Sequence, residues 1–128
     1  MIKALLIGAG LSGFIGVALG AFGAHALKTI LSSDMLVVFR TGVDYQFIHT
    51  LALIAVVVLA IKFPAISTWQ WSGFFFLIGI VIFSGSLYAL ALSGIKILGA
   101  ITPIGGLCLL VGWGLFTWSA YKSLDGTL

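Results

Sequence analysis

The sequence contains very little charge. Charged residues make up only 7% of its 128 residues, whereas hydrophobic residues make up 62%. Soluble domains usually carry about a quarter of charged residues, because polar side chains must cover their apolar core. The composition therefore excludes a soluble globular domain and predicts a chain that lies within a membrane.

Acidic side chains and cysteines are also scarce. No acidic residue lies inside the long apolar segments, and Cys108, the only cysteine, cannot form a disulfide within the chain. The formal net charge of +3 comes from scattered bases. Scattered lysines at helix ends reach toward lipid headgroups, so we expect no nucleic-acid partner. Phosphate-binding loops, serine–histidine–acid sets and metalloprotease motifs are absent from the sequence as well.

Four long apolar segments fill nearly the whole chain. A helix needs about 20 apolar residues to cross a hydrocarbon core about 30 Å thick. Only helices and closed barrels satisfy their backbone hydrogen bonds there, and barrel strands alternate in polarity, which segment 51–59 does not. The sequence predicts one all-α domain over 1–128, a polytopic antiparallel bundle of four transmembrane helices. The predicted spans are about 2–27, 45–63, 71–92 and 98–121.

The polar segment between the first two spans has the features of a short amphipathic helix. Ser33 is a candidate N-terminal cap, and Leu36 and Phe39 would share an apolar face. Arg40 lies four residues before Asp44, a spacing that favours an ion pair on a helix. We therefore predict an interfacial amphipathic helix in the headgroup region, with Arg40 and Asp44 as an interfacial ion pair.

The first apolar segment superficially resembles a cleavable signal peptide, but it is longer than a usual signal core. We expect a retained first span, so that an even number of spans places both termini on one side. Lysine and arginine are divided equally between the two sides, and the positive-inside rule gives a tie. Lys3 flanks the first helix closely and favours both termini on the cytoplasmic side.

The first span carries small residues at every fourth position, as in a glycine zipper. They are Gly8, Ser12, Gly16, Gly20 and Ala24. Residues four apart lie on one helix face, and small residues permit the close contact by which helices associate in lipid. The pattern predicts a tight helix–helix seam, whose partner is either another span or another copy of the chain. Gly85 and Ala89 repeat the pattern more weakly in the third span.

Nearly all hydrogen-bonding side chains gather at one end of the predicted bundle, because consecutive spans alternate in direction. The candidates are His25, Gln46, His49, Ser84, Ser86, Tyr88 and Thr102. Unpaired ionisable residues are costly in lipid, which makes those within spans functional candidates. Two interpretations stay open: a small polar pocket for a ligand, or interhelical hydrogen bonds that hold the bundle together. The opposite end carries an aromatic interface belt of Trp69, Trp71, Trp118 and Tyr121.

Two histidines invite a metal or haem interpretation. A zinc site needs three or four protein ligands, and Cys108 would lie several turns away from the end that holds His25 and His49. Two axial histidines can hold a haem, but a four-helix unit of this size leaves little room for one. We therefore expect no metal, no haem and no other cofactor.

Four sequence blocks together resemble a known family. They are GAFGAH at 20–25, TGVDYQFIH at 41–49, FSGSLY at 83–88 and ITPIGG at 101–106. Over essentially its whole length the chain resembles the small four-span membrane proteins of domain-of-unknown-function family 423. The resemblance implies a multi-pass inner-membrane protein. It implies no established activity and no catalytic residue.

These observations favour a non-enzymatic bundle that works by helix packing. It would contact membrane lipids and form a homo-oligomer or an accessory subunit of a larger membrane complex through its glycine-rich faces. The alternative is a binding or transport module whose polar pocket around His25, His49 and Tyr88 holds a lipid headgroup, a quinone or a small solute. A third interpretation, a small membrane enzyme with a histidine general base, lacks a recognisable acid or nucleophile.

Overall fold

The computed structural model describes residues 1–125, which form four long helices. These are α1 (Ile2–His25), α2 (Ser33–Lys62), α3 (Thr68–Ser93) and α4 (Thr102–Asp125). All four are long and apolar enough to cross a membrane, and the described range contains no strand. Short connections make consecutive helices antiparallel. The predicted all-α bundle of four transmembrane helices is confirmed.

The second helix begins earlier than the sequence analysis predicted. The separate amphipathic helix is not formed, because α2 runs without interruption from Ser33 to Lys62. Ser32 caps it in place of Ser33, since the Ser32 hydroxyl accepts a hydrogen bond from the Met35 N–H at 3.3 Å. No proline interrupts this stretch, so the backbone ladder continues through the membrane boundary. The amphipathic residues are therefore the first turns of α2, where Phe39 is fully buried.

The other helix ends have clear local causes. Pro64 follows the end of α2, and a proline restricts the preceding residue to a non-helical conformation. At the end of α3, Gly94 adopts a left-handed φ of 71° and its N–H bonds to the Leu90 carbonyl, which is the conformation that glycine favours in a C-cap. A 3-10 turn at Lys96–Ala100 leads into α4, whose first turn contains Pro103.

The α2–α3 hairpin forms the centre of the bundle. α1 packs mainly on α2, and α4 packs mainly on α3. The core between them contains Leu53, Val56, Trp69 and Phe76, none of which is more than 1% exposed. The two outer helices leave much of their apolar surface uncovered. This arrangement leaves one lateral opening between α1 and α3 and a second between α2 and α4.

The small-residue stripe of α1 faces the chain's own helices. A Cβ atom placed on Gly16 would lie 3.1 Å from Cζ of Phe47 in α2, and one on Gly8 would lie 2.9 Å from Cδ2 of Leu77 in α3. Gly20 adds a looser contact with α2. Of the two partners that the sequence left open, the structure shows another span for this face.

Four members of the predicted packing set behave differently from the glycines of α1. The Ser12 hydroxyl lies 2.6 Å from that of Thr50, so a hydrogen bond crosses the seam in the membrane interior. Ala24 is exposed and lies beyond the seam. Gly85 and Ala89 of α3 are also exposed, and a Cβ on Gly85 would meet no atom of residues 1–125 within 4 Å. The second small-residue face is therefore uncovered in the single chain.

The contact between α3 and α4 is close enough to leave no room for a side chain at two glycines of α4. A Cβ on Gly105 would lie 2.7 Å from Cα of Phe83, and one on Gly112 would lie 2.6 Å from Cδ1 of Phe76. The Ser72 hydroxyl donates to the Gly112 carbonyl at 2.8 Å. The absence of side chains at these glycines lets the two backbones approach.

Candidate functional site

The structure divides the predicted polar residues among several places and does not set them around one pocket. The α1/α3 cavity has a volume of about 370 Å³, and its polar lining is Ser12, Gln46, Ser84 and Tyr88. The α2/α4 groove has a volume of about 760 Å³. It is lined by Tyr45, Ile48, His49, Phe83, Pro103, Gly106, Leu107, Leu109, Leu110 and Trp113.

In the α1/α3 cavity the polar groups bond to one another across three helices. The Tyr88 hydroxyl donates to Oε1 of Gln46 at 2.6 Å, and Nε2 of Gln46 donates to the Ser12 carbonyl at 2.8 Å. Ser84 donates to the Gly42 carbonyl at 2.7 Å. Each of these bonds joins one helix to another, so the side chains hold α1, α2 and α3 together.

In the α2/α4 groove, His49 has a defined hydrogen-bond environment. Its Nδ1 lies 2.7 Å from the Tyr45 carbonyl, and its Nε2 lies 3.2 Å from Nε1 of Trp113. A carbonyl oxygen only accepts and an indole N–H only donates. Nδ1 therefore carries the hydrogen of a neutral imidazole, and Nε2 accepts. The ring is 5% exposed and is flanked by the rings of Tyr45 and Phe76, whose centroids lie 5.7 and 5.8 Å from its own.

Two further predicted residues form a third polar contact. The hydroxyl groups of Ser86 and Thr102 lie 2.7 Å apart, and Ser86 donates to the Phe83 carbonyl at 2.9 Å. This contact joins α3 to the first residue of α4. It lines neither of the two cavities described above.

The remaining polar candidates lie on the surface. His25 is exposed at the end of α1 and lines neither cavity. Arg40 and Asp44 are both exposed on α2, and within residues 1–125 no ion pair with an N–O distance of 4.0 Å or less joins them. The predicted pair is therefore not formed, although the helical spacing is as expected. Exposed ion pairs contribute little stability against the entropy of fixing two long side chains.

Polar contacts at the opposite end of the bundle were not predicted from the sequence. Nε1 of Trp69 donates to the Ser123 hydroxyl at 3.1 Å, and Ser119 donates to the Thr68 hydroxyl at 2.6 Å. Trp69 is 1% exposed, so its assignment to the aromatic belt was wrong. Ser119 and Ser123 are four residues apart in the last turns of α4 and therefore lie on one helix face. That spacing could have predicted a polar contact with a neighbouring helix.

Trp113 is a functional candidate that was not predicted from the sequence. It lies in the middle of α4, whereas interface tryptophans lie near the ends of spans. A tryptophan at mid-span has to place an indole N–H in an apolar environment, and such a group usually finds a partner. That position was the available signal for a partner such as His49.

The described residues 1–125 contain no group of three or more His, Cys, Asp and Glu side chains that could hold a metal ion. His25 lies on the surface and His49 lies beneath the α2/α4 groove, so the two histidines do not share a cavity. The expectation that the protein uses no metal or haem stays a prediction.

Comparisons with known proteins agree on one family. The family model described as "Protein of unknown function (DUF423)" matches residues 19–106. The UPF0382 inner membrane protein YgdD of Escherichia coli (strain K12) is 44% identical over 92% of this chain and 89% of its own length. A UPF0382 membrane protein of Haemophilus influenzae is 47% identical over 88% and 90%, respectively. YwdK, a UPF0382 membrane protein of Bacillus subtilis, is 41% identical over 95% and 99%.

No solved structure shows a significant match to the chain. The relatives are named as membrane or inner membrane proteins, and the described chain has four helices that can span a membrane. The predicted location in the membrane is confirmed. The cytoplasmic orientation of the termini stays a prediction.

Proposed function

We propose that this chain, which belongs to the DUF423 family of proteins of unknown function, works as a non-enzymatic membrane subunit that associates with further copies of itself. The main support is that its polar side chains form hydrogen bonds between helices of the same chain. The hydroxyl and amide groups of Tyr88, Gln46 and Ser84 hydrogen-bond between helices. Groups that could otherwise do chemistry thus serve to hold the bundle together.

The proposed association surface is the uncovered small-residue face of α3. Gly85 lies in the wall of the α1/α3 cavity, and Ala89 lies one turn further along. In lipid, such residues allow a second helix to approach closely. The small-residue face of α1 is already occupied by α2 and α3. The exposed α3 face therefore remains open to a second copy, whose larger side chains would enter the cavity.

Two glycine substitutions test this surface. A Cβ on Gly85 or on Gly114 of α4 would meet no described atom within 4 Å, so a side chain at either position begins in open space. We expect Gly85→Leu to shift the protein toward monomers, because the side chain blocks the helix approach. Gly114→Leu is the matched control and should keep the wild-type state. The measurement is the number of subunits per particle, counted by single-molecule photobleaching in lipid nanodiscs.

The outcomes of this experiment separate the versions of the proposal. A monomeric wild-type protein in native lipids would refute self-association. Equal subunit numbers for both variants would refute the α3 surface. If a different membrane protein is retained in fixed stoichiometry and lost only in Gly85→Leu, the accessory-subunit version replaces the homo-oligomer.

A second proposed function is the binding of a membrane-dissolved small molecule in the α2/α4 groove. Its volume of about 760 Å³ falls within the range of roughly 300–1,000 Å³ that is usual for small-molecule sites. Its lining is apolar apart from the groups around His49 and Trp113. This site differs from the pocket predicted from the sequence, because it includes His49 but neither His25 nor Tyr88.

The groove can be blocked without disturbing the core. Gly106 lines it, and a Cβ there would lie 3.9 Å from the Phe83 ring, an ordinary contact distance. We expect Gly106→Leu to reduce the amount of membrane lipid that stays bound in native mass spectrometry, with Gly114→Leu again as the control. Equal retention by the two variants would refute binding in this groove.

A further inference from the structure

We infer that the α2/α4 groove binds a neutral membrane alcohol, an amphiphile whose hydroxyl lies between Nε2 of His49 and Nε1 of Trp113 and whose apolar tail lies along α4. This inference rests on the second proposed function and specifies the chemistry of its ligand. It depends on three observations: a fixed acceptor, an adjacent donor that can be released, and an apolar channel beside them.

The fixed acceptor is Nε2 of His49. Because the Tyr45 carbonyl can only accept, the hydrogen of the neutral ring lies on Nδ1, and Nε2 keeps its lone pair. The rings of Tyr45 and Phe76 flank the imidazole, and the side chain is 95% buried because only 5% of it is exposed. The groove therefore presents an oriented acceptor that does not have to be ordered when a ligand binds.

The releasable donor is the indole N–H of Trp113. Its distance of 3.2 Å from Nε2 of His49 is at the long end of the range for N–H donors. The Trp113 side chain is 40% exposed and lines the groove. A small outward movement of this ring would open a gap between one donor and one acceptor.

A hydroxyl group is the ligand head that can pair with both groups, the acceptor of His49 and the donor of Trp113. Its oxygen can accept from Trp113 while its hydrogen is donated to His49, so one long hydrogen bond is replaced by two. A ketone or ether oxygen only accepts, and it would leave the His49 lone pair unpaired, which is costly in an apolar site. A phosphate or ammonium head would have to lose its water as well. The geometry thus selects alcohols over ketones, ethers and charged headgroups.

The tail of the ligand would follow the apolar wall of the groove. Ile48, Phe83, Leu107 and Leu110 line it. The lining residues of α4 extend from Pro103 to Trp113, which corresponds to about 15 Å at the helical rise per residue. The groove is open sideways between α2 and α4, so that a molecule dissolved in the bilayer can enter without passing through water.

The test uses three probes with the same long chain: an alcohol, its methyl ether and the methyl ketone. Each probe carries a photoreactive diazirine in its tail. The full-length protein is labelled in phospholipid nanodiscs, and the labelled peptides are identified by mass spectrometry. We expect the alcohol to label the groove segment 103–110 of α4. Unlabelled alcohol should compete about three- to tenfold more strongly than the unlabelled ether or ketone, which is the ratio expected for one additional hydrogen bond.

Variants connect that preference to the two side chains. Trp113→Phe keeps an aromatic ring but removes the N–H, a donor from which alcohol, ether and ketone oxygens can all accept. It should keep the preference for the alcohol, because Nε2 of His49 still accepts the alcohol hydrogen. Trp118→Phe is the matched control on the same helix and outside the groove lining, and it should keep the preference. His49→Leu removes the acceptor that only the alcohol can use, and it should reduce the preference to near unity. If that variant does not fold, the three-probe comparison on the wild-type protein still decides, because only a hydroxyl can donate to Nε2 of His49.

Three results would overturn the inference. Equal competition by alcohol, ether and ketone would show that the groove holds tails without recognising a hydroxyl, and would leave the second proposed function intact. If none of the probes labels the groove, both the alcohol inference and the second proposed function would be refuted. A preference for the alcohol that survives in His49→Leu would place the hydroxyl elsewhere.

Discussion

The two sides of α4 differ sharply although both are apolar. Toward α3, Gly105 and Gly112 let the helices touch so closely that a side chain at either glycine would collide with Phe83 or Phe76. Toward α2, larger side chains such as Leu110 line an open groove of about 760 Å³. Hydrophobicity does not separate these sides, because lipid tails are as apolar as leucine. The position of small residues therefore decides where the helices of this bundle touch.

The largest effect that would test this comparison is expected for Gly105→Ala. The new methyl group would lie 2.7 Å from the Phe83 Cα atom, and a helix backbone cannot yield as a side chain can. We expect a loss of about 3 kcal/mol in the free energy of unfolding, at the upper end of typical overpacking costs. Equilibrium unfolding in mixed detergent micelles measures it.

Gly114→Ala provides the control for that measurement. Gly114 is on the same helix, but no described atom lies within 4 Å of a Cβ there. Alanine should leave stability unchanged or raise it by up to about 1 kcal/mol through its better helix propensity. Equal losses at the two positions would show that the α3–α4 contact is not the cause.

A smaller effect is expected at the polar contact between α2 and α3. Tyr88→Phe removes the hydroxyl that donates to Gln46 at 2.6 Å and leaves a buried amide oxygen without that partner. We expect a loss of about 1 kcal/mol. A double-mutant cycle with Gln46→Leu should give a coupling free energy of similar size. Additive effects would mean that the two side chains do not stabilise the bundle as a pair.

The smallest effect is expected on the open side of α4. Trp113→Phe removes one long hydrogen bond to His49 at the edge of a groove, where few other contacts depend on it. We expect a loss of about 0.6 kcal/mol in unfolding free energy, the average for such bonds between membrane helices. Trp118→Phe serves as the control. A loss as large as that of Gly105→Ala would show that the groove side carries the packing energy and would reverse the comparison.

Much of the fold follows from the sequence because apolar length is a strong constraint in lipid. The four spans were predicted from it, whereas the close contact on α1 was predicted from small residues at every fourth position. The start of α2 was not, because hydropathy marks where a helix enters the membrane, whereas the helix itself ends only where its hydrogen-bond ladder is interrupted. No proline lies between Ser33 and Lys62, so the ladder continues past the polar boundary.

The site was predicted less well because neighbours depend on helix rotation. Gln46 and His49 are three residues apart on α2, close enough to suggest one pocket. In the bundle, Gln46 faces the α1/α3 cavity while His49 faces the α2/α4 groove. If α2 were rotated about its own axis by the angle between neighbouring side chains, different residues would face the α1/α3 cavity and the α2/α4 groove. The sequence carries no measure of that angle.

The length of α2 has a consequence for how the protein is seated in a bilayer. Its 30 residues extend about 45 Å at the helical rise per residue, whereas the hydrocarbon layer measures about 30 Å. One rigid rod thus joins the charged end that holds Asp34 and Arg40 to the core residue Val56. Membrane helices accommodate a change in bilayer thickness by tilting, and a tilt of this one continuous helix would move its charged end and its core residues together. Bilayer thickness is therefore expected to influence the tilt of α2 and the packing at the centre of the bundle.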